Sequence, residues 1–86
     1  MSWAPVGRLV LVEWIDSNSA HGWHQADDML ATVKGSLLCK SVGWLLLDGH
    51  DRIALVPNLA ETGSVGDALT IPKLAVVSMT ELPLPT

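Results

Sequence analysis

The chain of 86 residues has room for one domain, and a domain this short buries too small a share of its surface for a lone core to be more than marginal. Its single cysteine, Cys39, excludes an intrachain disulfide and a Cys-rich zinc site, which leaves self-association as the stabilising device. The formal net charge of −4 and the five Lys plus Arg residues argue against a phosphate-tracking nucleic-acid binder, while 49% apolar against 16% charged residues predicts that part of the surface is an interface.

Residues 1–7 read as an N-terminal arm with no basic n-region or apolar h-region, and no stretch approaches the roughly 20 apolar residues that span a bilayer. The expectation is a cytoplasmic protein with Cys39 reduced. Arg8 to Ile15 is rich in β-branched and aromatic residues and too short for an amphipathic helix, so it is the first strand. Asp16, Ser17, Asn18 and Ser19 are turn formers that open, with Gly22, a long loop running to Gly35. Within that loop Met29, Leu30 and Val33 lie at helical spacing behind Asp27 and Asp28, which gives a short helix over Gln25 to Val33.

Leu37 to Leu47 is a second apolar run, in which Cys39 reads as a small core hydrophobe. Asp48-Gly49-His50-Asp51 predicts a tight hairpin turn with positive φ at the Asp-Gly pair, and Arg52 to Pro57 returns as the third strand. Asn58 to Gly66 is a polar loop. Asp67 to Ile71 is a short strand stopped by Pro72, Leu74 to Leu82 is the fifth strand, and residues 83–86 form an extended tail. This order predicts an all-β chain, a single five-stranded SH3-like barrel over residues 1–86 whose long first loop holds a short helix. The competing OB barrel normally carries a helix between its third and fourth strands, where this sequence has only the polar Asn58 to Gly66 segment.

Neither face of the outer strands is cleanly polar. Val10, Val12 and Trp14 alternate with Leu9, Leu11, Glu13 and Ile15, and Leu74 and Val76 alternate with Ala75, Val77 and Met79. Strands that are apolar on both sides predict a homo-oligomer in which a second copy covers the outer face.

The densest polar and aromatic stretch runs from Trp14 to His24. Trp14 and Trp23 offer flat π faces, Asp16 suits ribose hydroxyls, and Ser17, Asn18 and Ser19 suit phosphate oxygens, with His21 between Ser19 and Trp23. Lys40 and Lys73 are the cations that would meet the phosphates of a nucleotide-derived ligand. Set against this, the chain has no Phe or Tyr, so Trp14 and Trp44 also read as core fillers, Trp23 as a lid over the barrel, and Lys40 and Lys73 as solvated charges. Trp3, in the arm, reads as packing across a neighbouring subunit. His21 and His24 lack a third nitrogen or sulfur ligand, so no metal is expected, and no cofactor either. With no nucleophile elbow, phosphate loop or H-E-x-x-H helix, the chain is expected not to be an enzyme.

Trp14-Ile15-Asp16-Ser17, Gly22-Trp23, Val42-Gly43-Trp44-Leu45 and Ile71-Pro72-Lys73 together form a pattern that resembles a group of small phage and prophage proteins, over Arg8 to Leu82. The resemblance implies a phage-encoded barrel. By analogy with small oligomeric phage proteins that sequester nucleotide-derived immune signals, it also implies an anti-defence binding protein. The alternative is a protein-interaction module with tryptophan hot spots that binds a host or virion protein, and the third reading is an Sm-like RNA-binding ring.

Overall fold

The computed structural model describes residues 2–17 and 22–84, without the side chains of Ser17, Thr32 and Val33. Alternation on the first strand places Val10 and Val12 wholly inside and Trp14 against them, so β1 (Leu9–Ser17) turns one face to the core. It runs antiparallel to the long β2 (Ser36–Asp48), with Leu9 opposite Trp44 and Ser17 opposite Ser36. β3 (Arg52–Val56) pairs with the far half of β2, between Trp44 and Asp48, across a bulge between Leu45 and Leu47. A two-strand ribbon, β4 (Asn58–Leu59) and β5 (Val65–Gly66), precedes β6 (Leu69–Pro72). One 3₁₀ turn, Lys73–Ala75, then turns the chain into β7 (Val76–Glu81), which returns to pair with β1.

The main sheet is therefore all antiparallel, in the order β6-β3-β2-β1-β7. The fold is all-β with one helix, α1 (Ala26–Lys34), in the long first connection. Its edges, β6 and β7, are joined by the 3₁₀ turn and not by a ladder, so backbone pairing does not close the sheet into a barrel. The core lies in the concavity of the sheet: Val10, Val12, Leu45, Ile53, Leu55 and Ile71, flanked by Trp14, Leu69, Ala75 and Val76. Full burial of each aliphatic side chain stabilises by about 1.5–3 kcal/mol relative to exposure.

Several boundaries differ from the sequence reading for local reasons. Asp16 and Ser17 continue β1 because Leu37 and Ser36 lie opposite them and extend the ladder past Ile15. α1 reaches Lys34, with Asp27 and Asp28 in its first turn and Lys34 in its last, each matching the helix dipole. The Asn58 to Gly66 loop carries the β4–β5 ribbon, held by the side-chain amide of Asn58 donating to Asp67 at 3.0 Å. Pro72 ends β6 from within it, since an edge strand tolerates a missing N–H. Leu74 belongs to the 3₁₀ turn and is fully exposed instead of opening the last strand. The hairpin after β2 has no positive φ at Gly49; its N–H donates to the Arg52 carbonyl at 2.9 Å. Glycine suits the position because a Cβ would lie 3.0 Å from that same carbonyl oxygen, a contact tight enough that the neighbour would have to give way slightly.

The molecule is long. It measures 55 × 24 × 24 Å with a radius of gyration of 16.6 Å, where a compact chain of this length has about 12 Å. β7 covers β1 only from Val10 to Trp14, and β3 covers β2 only from Trp44 onward. Beyond them Ile15–Ser17 and Ser36–Leu38 continue as a two-strand arm that leads through the long connection to α1.

Candidate functional site

The structure separates the side chains that the sequence grouped into one site. Trp14 is half-buried against the core and donates its indole N–H to the Ser41 hydroxyl at 3.0 Å, so its ring is committed to packing and its polar edge to β2. Asp16 is exposed on the arm, opposite Leu37, and Ser17 ends the strand opposite Ser36. Ser19 and His21 lie outside the described residues. Trp23 is 102% exposed, which rules out a lid over the core in this chain.

The two lysines go to different places. Lys40 lies on the outer face of β2, opposite Glu13, with its Nζ 4.0 Å from the Glu13 carboxylate. Lys73 caps the other end of the fold, where its Nζ meets the Asp48 carboxylate at 3.0 Å beside a cleft of about 320 Å³ lined also by Ile53, Val76 and Met79. Of five clefts on the described surface none is lined by Trp14, Asp16, Trp23 or Lys40, and Lys73 lines one without the others.

Trp44 is not a core filler. Register puts it on the outer face with Leu9 and Val56, where with Trp3, Pro57, Asn58 and Leu59 it lines an open groove of about 430 Å³. Gly43 is opposite Val10 on the inner face, so its neighbour Trp44 points the other way. A Cβ on Gly43 would come within 3.1 Å of the Val56 carbonyl, which explains the missing side chain at that inner position.

What the sequence reading missed is the arm. Ile15 is 46%, Leu37 61% and Leu38 60% exposed, and Val42 is exposed further down the same strand. Cys39, expected in the core, is only half-buried because no β3 residue lies beside it. α1 exposes Leu30 as well. A nine-residue helix is marginal in water without packing, and so is an isolated two-strand ribbon. These elements therefore present apolar surface that the chain itself does not cover.

Ionisable groups add little. Both Nε and one Nη of Arg52 bond the Asp51 carboxylate at 3.0 Å, holding that exposed carboxyl below its ordinary value. Among the described residues no three His, Cys, Asp or Glu side chains converge as a metal site would require, and no helix is long and apolar enough to cross a membrane. The chain matches no family model, curated protein or solved structure. Function has to be argued from the surface alone.

Proposed function

We propose that this chain is a non-enzymatic assembly module, a homo-oligomer that binds protein surfaces through the arm formed by the ends of β1 and β2. The observation that carries this reading is the uncovered apolar surface at Ile15, Leu37 and Leu38 on a two-strand ribbon projecting from the sheet. Aliphatic side chains so placed, Ile15 and Leu38 on one face of the ribbon and Leu37 on the other, cost solubility unless a partner buries them, and exposed apolar surface of this kind marks interaction sites on soluble proteins. The tryptophans fit the same role: Trp23 is solvent-exposed near α1, and Trp3 with Trp44 lines an apolar groove, both suited to act as interface anchors. Sequestration of a nucleotide-derived molecule has less support, because its candidate residues are dispersed within one chain.

The test is sedimentation of wild type and of an Ile15→Lys, Leu38→Lys double variant at micromolar concentration. Self-association by the wild type, lost in the variant while the far-ultraviolet β signal is retained, supports the reading. A wild type that stays at 9.2 kDa removes the homo-oligomer from it.

A further inference from the structure

We infer that the open edge of β2, Ser36–Val42, is a self-pairing surface: two copies join their β2 strands antiparallel about a two-fold axis at Cys39, merging their arms into one four-stranded sheet. This rests on the reading of the arm as an interaction element and names its partner as a second copy of the chain.

Among the described residues the main sheet has three open edges of four residues or more, and two of them carry the devices that discourage pairing. β6 is four residues long and ends in Pro72, while β7 has a bulge beside Trp14 that leaves Val77 unmatched. The β2 edge has neither. From Ser36 to Val42 it contains no proline or bulge, no β3 residue pairs with it, and its one charge, Lys40, lies near Glu13 of its own chain. The Leu45 N–H donates to the Arg8 carbonyl, toward β1. Alternation then turns the N–H and C=O groups of Ser36, Leu38, Lys40 and Val42 outward, to the open side.

Area supports a second copy as the occupant. The chain exposes 6374 Å², whereas a compact monomer of 9.2 kDa exposes about 4,900 Å². The excess of about 1,400 Å² per copy is surface that a second copy is able to cover, and a stable interface needs only about 800 Å² from each partner. A two-fold pairing also needs no separate receptor surface, since the same seven residues serve on both sides.

Register follows from two constraints. The two-fold axis keeps inner faces on one side, so a residue at the axis lies opposite its own copy. Placing Lys40 there sets like charges face to face, and placing Leu38 there pairs only Ser36 to Lys40. Centring on Cys39 pairs the full run from Ser36 to Val42, with Leu38 bonded to Lys40 of the other copy. Cys39 then occupies a non-hydrogen-bonded pair, where Cα atoms lie about 4.5 Å apart. That separation falls in the range a disulfide accepts, about 4.4–6.8 Å.

The experiment combines sedimentation with thiol cross-linking on the full chain. Wild type is expected to sediment at twice 9.2 kDa and, with diamide as the oxidant, to give a reducible covalent dimer that Cys39→Ser abolishes while remaining a non-covalent dimer. Lys40→Pro removes an outward N–H and no β1 bond, and is expected to sediment as a folded monomer. Monomeric wild type overturns the pairing, as does a dimer that forms no Cys39 cross-link. If Lys40→Pro fails to fold, the cross-link decides. A dimer without the cross-link that Ile15→Lys, Leu38→Lys dissociates sinks the β2 pairing and keeps the arm as the interface. A dimer indifferent to every one of these substitutions sinks both.

Discussion

The indole N–H of Trp14 reaches the hydroxyl of Ser41, 3.0 Å away, across the boundary where the covered sheet gives way to the arm. Trp14 lies directly opposite Cys39 in the ladder, so the bond runs diagonally and ties β1 to β2 just beyond the core. Its ring packs on the core beneath, against residues that include Val76 on β7.

Removing only the hydrogen bond is therefore a mild change and removing the ring a severe one. Ser41→Ala, which removes the acceptor and keeps the indole, is expected to lose about 1 kcal/mol, the usual net worth of a hydrogen bond. Trp14→Ala is expected to lose about 3 kcal/mol, the lower end for truncating an aromatic, because the residue is only half-buried. Urea unfolding of the two variants checks the ordering; equal losses would mean that the indole contributes only through its N–H.

Ile53 tests the centre of the core. It is 2% exposed and lies opposite Ile71 in the β3–β6 ladder. Ile53→Val is expected to cost about 0.5–1.5 kcal/mol and Ile53→Ala about 2–5 kcal/mol, measured as a shift in the urea midpoint at unchanged slope. A loss below about 1 kcal/mol for the alanine variant would place Ile53 outside the cooperative core.

The order of strands was legible because β-branched runs, turn formers and Pro72 mark the chain at the right intervals. Which residues share a face was legible where alternation is unbroken, as at Val10, Val12 and Trp14, but not which face is the inner one, because both are largely apolar. Reading failed at Trp44 and Cys39 for different reasons: Trp44 is next to the inward Gly43 and so falls on the outer face, while Cys39 lies on the stretch of the thirteen-residue β2 that the five-residue β3 leaves without a neighbour on one side. Apolar content alone does not reveal which residues of a long strand lie beyond its partner. Of the proposed ligand residues that the structure describes, Trp14 is turned to the core and Lys40 and Lys73 lie apart, since nearness in sequence across a strand end does not by itself bring side chains to one point.

Trp23 gives a test with opposite outcomes for its two sequence readings. As a lid, Trp23→Ala would lower the melting temperature. Since the side chain is wholly exposed, the expected result is a stability unchanged within about 0.5 kcal/mol. The fluorescence spectrum should shift to the blue, because the most solvated of the four indoles is removed. A melting temperature several degrees lower would show that Trp23 packs somewhere in solution.

The last test concerns acid. Arg52 holds the Asp51 carboxyl below its ordinary value of 3.8, chiefly through the side-chain hydrogen bonds and then through its charge, with a smaller pull from Lys73. A carboxyl lowered on folding contributes stability that is present above its unfolded value and is lost as pH falls through the folded one. The window is therefore below about 3.8, and the contribution is small because both groups are exposed and screened. Arg52→Ala should return the Asp51 titration toward 3.8, read from its carboxyl ¹³C shift, and should flatten the decline in stability on the acid side. Added salt should move the wild-type titration in the same direction and leave the variant nearly unchanged. Coincident Asp51 titrations in wild type and variant would mean that the fork of Arg52 on Asp51 does not persist in solution.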